Sequence, residues 1–432
     1  SGQNIYGQGM WAASLRYHEG RFYICFVAND TRKTYLYTSE KIDGPWKKQL
    51  IEGFYHDGSL LFDEDGRNYI VYGNDEIWIT ELNEDLTAPK KDGLHRLLVS
   101  DHKNPELGYE GSHIQKINGY YYIFLVHSLR DRWMRTEACF YSDSLEGEFT
   151  GGDVLCDDRG YCGQGVAQGG IVDTPDGKWY AMLFQDSGAV GRIPILLPVT
   201  WKDHFPFFGQ NGHVPEEIEV HSTRPGYIYQ PLVGSDDFCN GLLPRWQFNH
   251  DPDPRYYHLD ALQGTYTITT REVCTELTQA VNTLTQRMSY PSCAAEVTVD
   301  ASALKEGDVA GLCALQSCYA AVGITKHHGK YEVLMLDKKE DGILDMTEGT
   351  VVESHQMDFR LEADFCNMKD EARCYYRVNK GDWLPIGTVH KLYFKLDHFT
   401  GCRFGLFCYA AEETGGSACF RDFKYYDVDE IS

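Results

Sequence analysis

The chain is short of positive charge. Across 432 residues, 40 Lys and Arg face 64 Asp and Glu, a formal net charge of -24. A surface that negative repels phosphate backbones, so no nucleic-acid partner is expected, and acidic polymers are poor ligands for the same reason. Neutral ligands stay open. Long apolar runs are missing too: nothing approaches the roughly 18 residues of a membrane-spanning helix, so no membrane partner is expected. The opening stretch SGQNIYGQGM has neither the basic nor the apolar region of a secretory signal, and it starts at Ser1 without an initiator methionine. Fourteen cysteines are present, yet no CxxC pair occurs, which removes zinc-ribbon spacing. Many of them sit in apolar, strand-like runs such as YICF, GLCAL and GLFCYA. There a free thiol behaves as a small buried hydrophobe, so a reducing, cytoplasmic setting is expected.

What the chain has in abundance is aromatic residues, 13% of the total, beside 42 glycines. That pairing points to β-strands separated by tight turns. Aromatics also make sugar-binding platforms, but an ordinary β core uses them as well. Four segments share one pattern of strand, polar Gly turn and aromatic-rich strand: WAASLRYHEGRFYICF, HDGSLLFDEDGRNYIVY, YEGSHIQKINGYYYIFL and AQGGIVDTPDGKWYAML. Their turn glycines are Gly20, Gly66, Gly119 and Gly177. A third strand follows each hairpin, and repeats of about 40–50 residues with four strands are the spacing of β-propeller blades.

Nine positions before each turn glycine stand Trp11, Asp57, Glu110 and Gln168. The first strand of a blade lines the central channel, so these equivalent positions are expected to converge on one pocket. Two carboxylates in a shared cleft are expensive to bury and therefore mark a task. In a neutral, aromatic-lined pocket the task they suit is glycosidic bond hydrolysis. Burial and a neighbouring negative charge both raise a carboxyl pKa, so Glu110 can act as proton donor with Asp57 helping it hold the proton.

The strings GMWAASLRYHEGRFY, HDGSLLFDEDGRNY, YEGSHIQKINGYYY and VGRIPILLPVTW resemble glycoside hydrolase family 43, in its α-L-arabinofuranosidase and β-xylosidase branch. The resemblance implies an all-β fold with a five-bladed propeller. It also implies an inverting mechanism that uses an Asp base, an Asp that tunes pKa and orients substrate, and a Glu acid. By motif, Asp57 matches the tuning aspartate, Glu110 the acid, Trp11 a tryptophan beside the sugar and Arg192 an arginine that binds sugar hydroxyls. Four blades are visible and the family's base lies ahead of the WAA segment, so the base is expected in a first blade that this sequence does not contain. Asp30 and Asp186 are conceivable substitutes, though neither occupies the repeat position. Gln168 stands where related enzymes often place a histidine near a water-coordinated calcium ion. An amide is weaker in that role, so calcium is doubtful and no metal or other cofactor is assigned; His18, His56 and His113 read as hydrogen-bonding residues.

After the linker around Ser222–Asp237 the pattern changes to short alternating strands, as in an antiparallel sandwich. The expected domains are a partial propeller over 1–233 and a sandwich over 234–432. The stretches LLPRWQFNHDPDPRYYHLD and NTLTQR resemble the concanavalin-like β-sandwich of the same branch. The implied function is release of terminal L-arabinofuranose or D-xylose from neutral, pentose-containing hemicellulose oligosaccharides. The alternative is a glycan-binding protein that has kept the pocket and lost catalysis.

Overall fold

A computed structural model describes residues 8–220, 222, 224–396 and 399–427; the outer ends of both expected domains lie outside the described residues. The chain forms two units. One runs to Asp186 and resumes from Arg192 to 222; the second begins at Arg224 and includes Ser187–Gly191.

The first unit contains four antiparallel sheets of four strands, each strand hydrogen-bonded to the next in sequence. The first blade is β1 (Met10–His18), β2 (Arg21–Ala28), β3 (Lys33–Ser39) and β4 (Lys47–Ile51). The second is β5 (Ser59–Phe62), β6 (Asn68–Asn74), β7 (Glu76–Leu82) and β8 (His95–Ser100). The third is β9 (Glu110–Ile117), β10 (Tyr120–Ser128), β11 (Arg135–Ser142) and β12 (Thr150–Leu155). The fourth is β13 (Ala167–Asp173), β14 (Trp179–Asp186), β15 (Arg192–Lys202) and β16 (Phe205–Phe208). The four repeats of the sequence are these four blades, and the inner strands neighbour one another in the order β1, β5, β9, β13.

The turns explain the hairpins. In Asn118-Gly119 both residues have positive φ, 51° and 84°, the geometry of a two-residue turn whose twist matches its flanking strands. Glycine reaches that conformation without the clash a Cβ introduces. Blade packing follows from the two-residue period of a strand. On β10, Tyr121, Ile123 and Leu125 enter one core with Leu61, Val71 and Ile79 of the second blade. The alternate residues Tyr122 and Phe124 enter another with Ile171, Leu183 and Leu197 of the fourth. A strand buried on both faces reads as a continuous apolar run, which is why YYYIFLV does not alternate. Arg16 of β1 ties the inner strands together, donating to Leu60 O (3.0 Å), Ser59 Oγ (2.6 Å) and Ile114 O (3.1 Å).

The second unit carries two large antiparallel sheets. One includes Val309–Leu315, Tyr319–His327 and Arg403–Tyr409; the other includes Ser292–Asp300, Gln356–Asp364 and Ser417–Asp427. These are the alternating segments of the second half of the sequence.

Replacing Gly119 by Ala tests the turn argument. A Cβ there meets nothing within 4 Å, so only backbone strain is added. The expected loss is about 1 kcal/mol in chemical denaturation; an unchanged midpoint would refute the positive-φ requirement.

Candidate active site

The inner strands are irregular where the site residues lie. The β1/β2 register shifts between Trp11 and Ser14, and the β13/β14 register shifts between Ala167 and Gly170. The β9/β10 register shifts between the partners of Glu110 and His113. Asp57, two residues ahead of β5, has φ 48°, and Gln168 has φ 68°. Such breaks re-aim side chains that a regular strand would send to the blade faces, and a positive φ at a non-glycine residue is strain that the surroundings must hold. Here they do. The backbone N–H of Gln168 donates to buried Glu137 Oε2 (2.7 Å), and Asp57 O accepts from Ser112 Oγ (2.7 Å).

Asp57 and Glu110 differ in surroundings. Asp57 is 6% exposed; its Oδ2 accepts the Gly111 N–H at 3.0 Å. Burial pushes its carboxyl up to about 6, and Glu110 adds to the rise, while His56, the Gly111 N–H and Arg192 oppose it. The Glu110 side chain is 21% exposed, and its Oε2 accepts Asn74 Nδ2 at 2.9 Å. Between the two carboxylates stands His56, with Nε2 3.7 Å from Asp57 Oδ2 and 3.7 Å from Glu110 Oε2. Its attraction to Glu110, with help from Asp57, outweighs burial and raises the imidazole pKa. Donor atoms of His56, Asp57 and Glu110 all lie within 4.8 Å of one another. Gly111 must be glycine: its φ is 67°, and a Cβ would stand 2.7 Å from Gln168 Cγ.

The Trp11 ring lies 6.3 Å from that of His56, tilted by 51°. Arg192 opens β15 and pairs in register with Asp186 at the end of β14. Its Nε donates to Asp186 Oδ1 (3.0 Å), while Arg135 Nη1 donates to Asp186 Oδ2 (2.8 Å). Both guanidinium groups lie over the Phe184 ring, at 4.4 Å for Arg192 and 4.6 Å for Arg135. Arg135 Nη2 also donates to Gln168 Oε1 (3.1 Å). The structure therefore gathers Trp11, Asp57, Glu110, Gln168 and Arg192 at one end of the inner strands. It adds His56, Asn74, Arg135, Phe184 and Asp186, which the repeat alignment had not assigned to the site. The Asp186–Arg192 pair was readable in principle, because the two residues flank one hairpin turn; Arg135 and Asn74 sit on other strands and carried no local signal.

Two substitutes considered for the base fare poorly. Asp30 is exposed on the loop after β2. Asp186 has each oxygen engaged by a guanidinium, from Arg192 and Arg135, so neither is open to hold an attacking water. Gln168 Oε1 accepts one hydrogen bond, from the Arg135 guanidinium, and keeps a second lone pair; calcium stays unassigned.

Because the raised Asp57 pKa lets the folded state hold a proton that the unfolded chain releases, stability falls as pH rises from about 4 through about 6. Asp57→Asn removes the buried charge. The variant is expected to be more stable than the parent at pH 7–8 by about 1–3 kcal/mol and equal to it below pH 4. Thermal unfolding across that range decides the point; a variant less stable at pH 8 would contradict the cost assigned to Asp57.

Comparison with known proteins matches this arrangement to two family models. Residues 1–206 match "Glycosyl hydrolases family 43" and residues 235–426 match "Beta xylosidase C-terminal Concanavalin A-like domain". A putative beta-xylosidase of Xylanibacter ruminicola is 28% identical over 337 residues, covering 74% of this chain and 61% of the relative. A xylosidase/arabinosidase of Butyrivibrio fibrisolvens is 22% identical over 471 residues, covering 98% and 87%. The solved structure of a bifunctional GH43-CE protein of Bacteroides eggerthii superimposes with a TM-score of 0.86 at 41% identity, over 99% of this chain and 55% of that one. The chain thus spans less than two thirds of the length of the first and last of these. With blades, sandwich and both family models in agreement, the chain belongs to glycoside hydrolase family 43 and carries that family's C-terminal concanavalin A-like domain.

Proposed function

We propose that the protein is an inverting exo-glycoside hydrolase that releases terminal L-arabinofuranose or D-xylose from neutral hemicellulose oligosaccharides. One observation carries the reading: a nearly dry aspartate lies beneath a more exposed glutamate, with their donor oxygens within 4.8 Å. In this reading Glu110 gives its proton to the leaving oxygen as the glycosidic bond breaks. Asp57 keeps that proton in place by like-charge repulsion and orients the sugar, and Trp11, Gln168 and Arg192 shape the pocket around it. The spacing supports a division of labour. An acid and base with water between them stand about 6.5–9.5 Å apart, so Asp57 is too close to be the base. It is also too buried to reach an anomeric carbon as nucleophile.

In this reading the base is a further carboxylate, taken from an additional blade as the family resemblance implies. Exposed apolar side chains support a missing neighbour for the end blades: Met10, Leu15 and Tyr17 on β1, and Val172 and Met182 on β13 and β14. The names of the relatives include both xylosidase and arabinosidase, which supports a pentose at the non-reducing end without choosing between the two. None of the fourteen cysteines is in a disulfide, in keeping with a reducing, cytoplasmic location.

Glu110→Gln should lose about 10²–10⁴-fold in kcat on natural oligosaccharides and far less on aryl glycosides with good leaving groups. Proton NMR of the first-formed sugar should show the inverted anomer. Equal activity of variant and parent on natural substrate would remove Glu110 from the acid role. Oligosaccharide binding with no product released, in a polypeptide that includes the covering segment, would favour the glycan-binding alternative.

A further inference from the structure

We propose that His56, Asp57 and Glu110 form a binding site for a borderline transition-metal ion of the Zn²⁺ class, and that the ion switches the pocket off. Among the described residues these three make up the group of His, Cys, Asp and Glu side chains whose donor atoms converge closely enough to share an ion. One imidazole nitrogen with two carboxylate oxygens is a donor set that suits zinc, at about 2.0–2.2 Å from each ligand. Ions such as calcium and magnesium prefer an all-oxygen shell of six or more ligands.

The distances are near those of a loaded site. Ligands around a tetrahedral zinc ion stand about 3.4 Å apart, and His56 Nε2 is 3.7 Å from each carboxylate. The whole set lies within 4.8 Å, so closing it requires Glu110, more exposed than Asp57, to draw in toward the ion. Asp57 needs no movement, since the Gly111 N–H already fixes its Oδ2. Asn74 Nδ2 donates to Glu110 Oε2, the oxygen that also faces His56, a hydrogen bond of the kind that orients metal ligands. His56 and Glu110 are each partly exposed, at 24% and 21% of the side chain, so an ion can enter and keep a water ligand.

Charge favours the ion as well. Two carboxylates face the site, and the nearest fixed cations, Arg135 and Arg192, are both engaged by Asp186. The net charge of -24 concentrates cations near the surface. On binding, His56 gives up the proton on Nε2 to solvent and uses that lone pair for the metal. Glu110 becomes a ligand and is no longer a proton donor. The ligation stands on geometry alone; the inhibition rests on the acid role proposed above.

Isothermal titration of the chain with zinc chloride at pH 7.5 should show one site, with cobalt(II) giving visible ligand-field bands at the same stoichiometry. His56→Gln should weaken the affinity at least tenfold and abolish the cobalt bands, with the thermal midpoint checking that the variant is folded. Glu110→Gln serves as the second ligand variant. In active enzyme, zinc should inhibit hydrolysis and a chelator should restore it. Absence of zinc binding up to about 1 mM, or equal binding by the parent and both variants, would overturn the site. A chain that binds zinc through His56 but hydrolyses nothing rejects the glycosidase reading and keeps the site. A hydrolase whose rate and heat signal ignore zinc rejects the site and keeps the glycosidase.

Discussion

The organisation of the pocket depends on keeping one carboxylate nearly dry. Removing a charge from water is costly unless nearby groups compensate, and around Asp57 the compensation is deliberately partial. One backbone N–H reaches it, from Gly111. His56 and Arg192 act at longer range, and Glu110 acts against it. A full ion pair would have pinned Asp57 in the ionised state at all working pH values; no partner would have made the fold intolerably unstable. The result is a carboxyl that titrates near 6, within the range in which acid–base chemistry at neutral pH is possible.

Holding that balance needs side chains aimed at the axis from several blades, and regular strands do not supply them. A regular inner strand alternates its residues between the two blade faces, where Ile114 and Ile171 go. The register breaks at Trp11, Glu110 and Gln168 and the left-handed conformation of Asp57 turn one residue per blade toward the centre. The strain is contained because each break is tied to the next blade. Gly111 serves Asp57, Ser112 binds both Asp57 O and Val71 O, and Glu137 holds the Gln168 amide. Blade-to-blade packing and site geometry are therefore one problem, solved by the same few residues.

This explains what was legible beforehand. Turn glycines report a local backbone requirement, so they mark the hairpins in the sequence, and a fixed offset from each turn locates the break at the other end of the inner strand. Trp11, Asp57, Glu110 and Gln168 could be aligned that way because all four lie on, or just ahead of, that one strand type. His56 was visible only as the neighbour of Asp57 and read as a hydrogen-bonding residue. Its place between two carboxylates depends on how the second and third blades meet. Arg135 and Asn74 come from second and third strands, and their convergence is a property of the assembled ring. In the second half, alternation revealed the strands, but the pairing of the two sheets joins segments far apart in the chain, such as Ser292–Asp300 with Ser417–Asp427, and no local pattern encodes that.

The positive side of the site is as constrained as the negative side. Arg135 and Arg192 would repel each other across the Phe184 ring if nothing lay between them, and Arg135 is buried, which by itself lowers its pKa. Asp186 resolves both difficulties by accepting from each guanidinium through a different oxygen. That arrangement occupies both oxygens of Asp186. Of the carboxylates gathered here, Asp186 serves charge neutralisation, while Glu110 and Asp57 are the pair to which the proposed reading gives proton supply. In the proposed reading, water activation falls to a carboxylate other than these three.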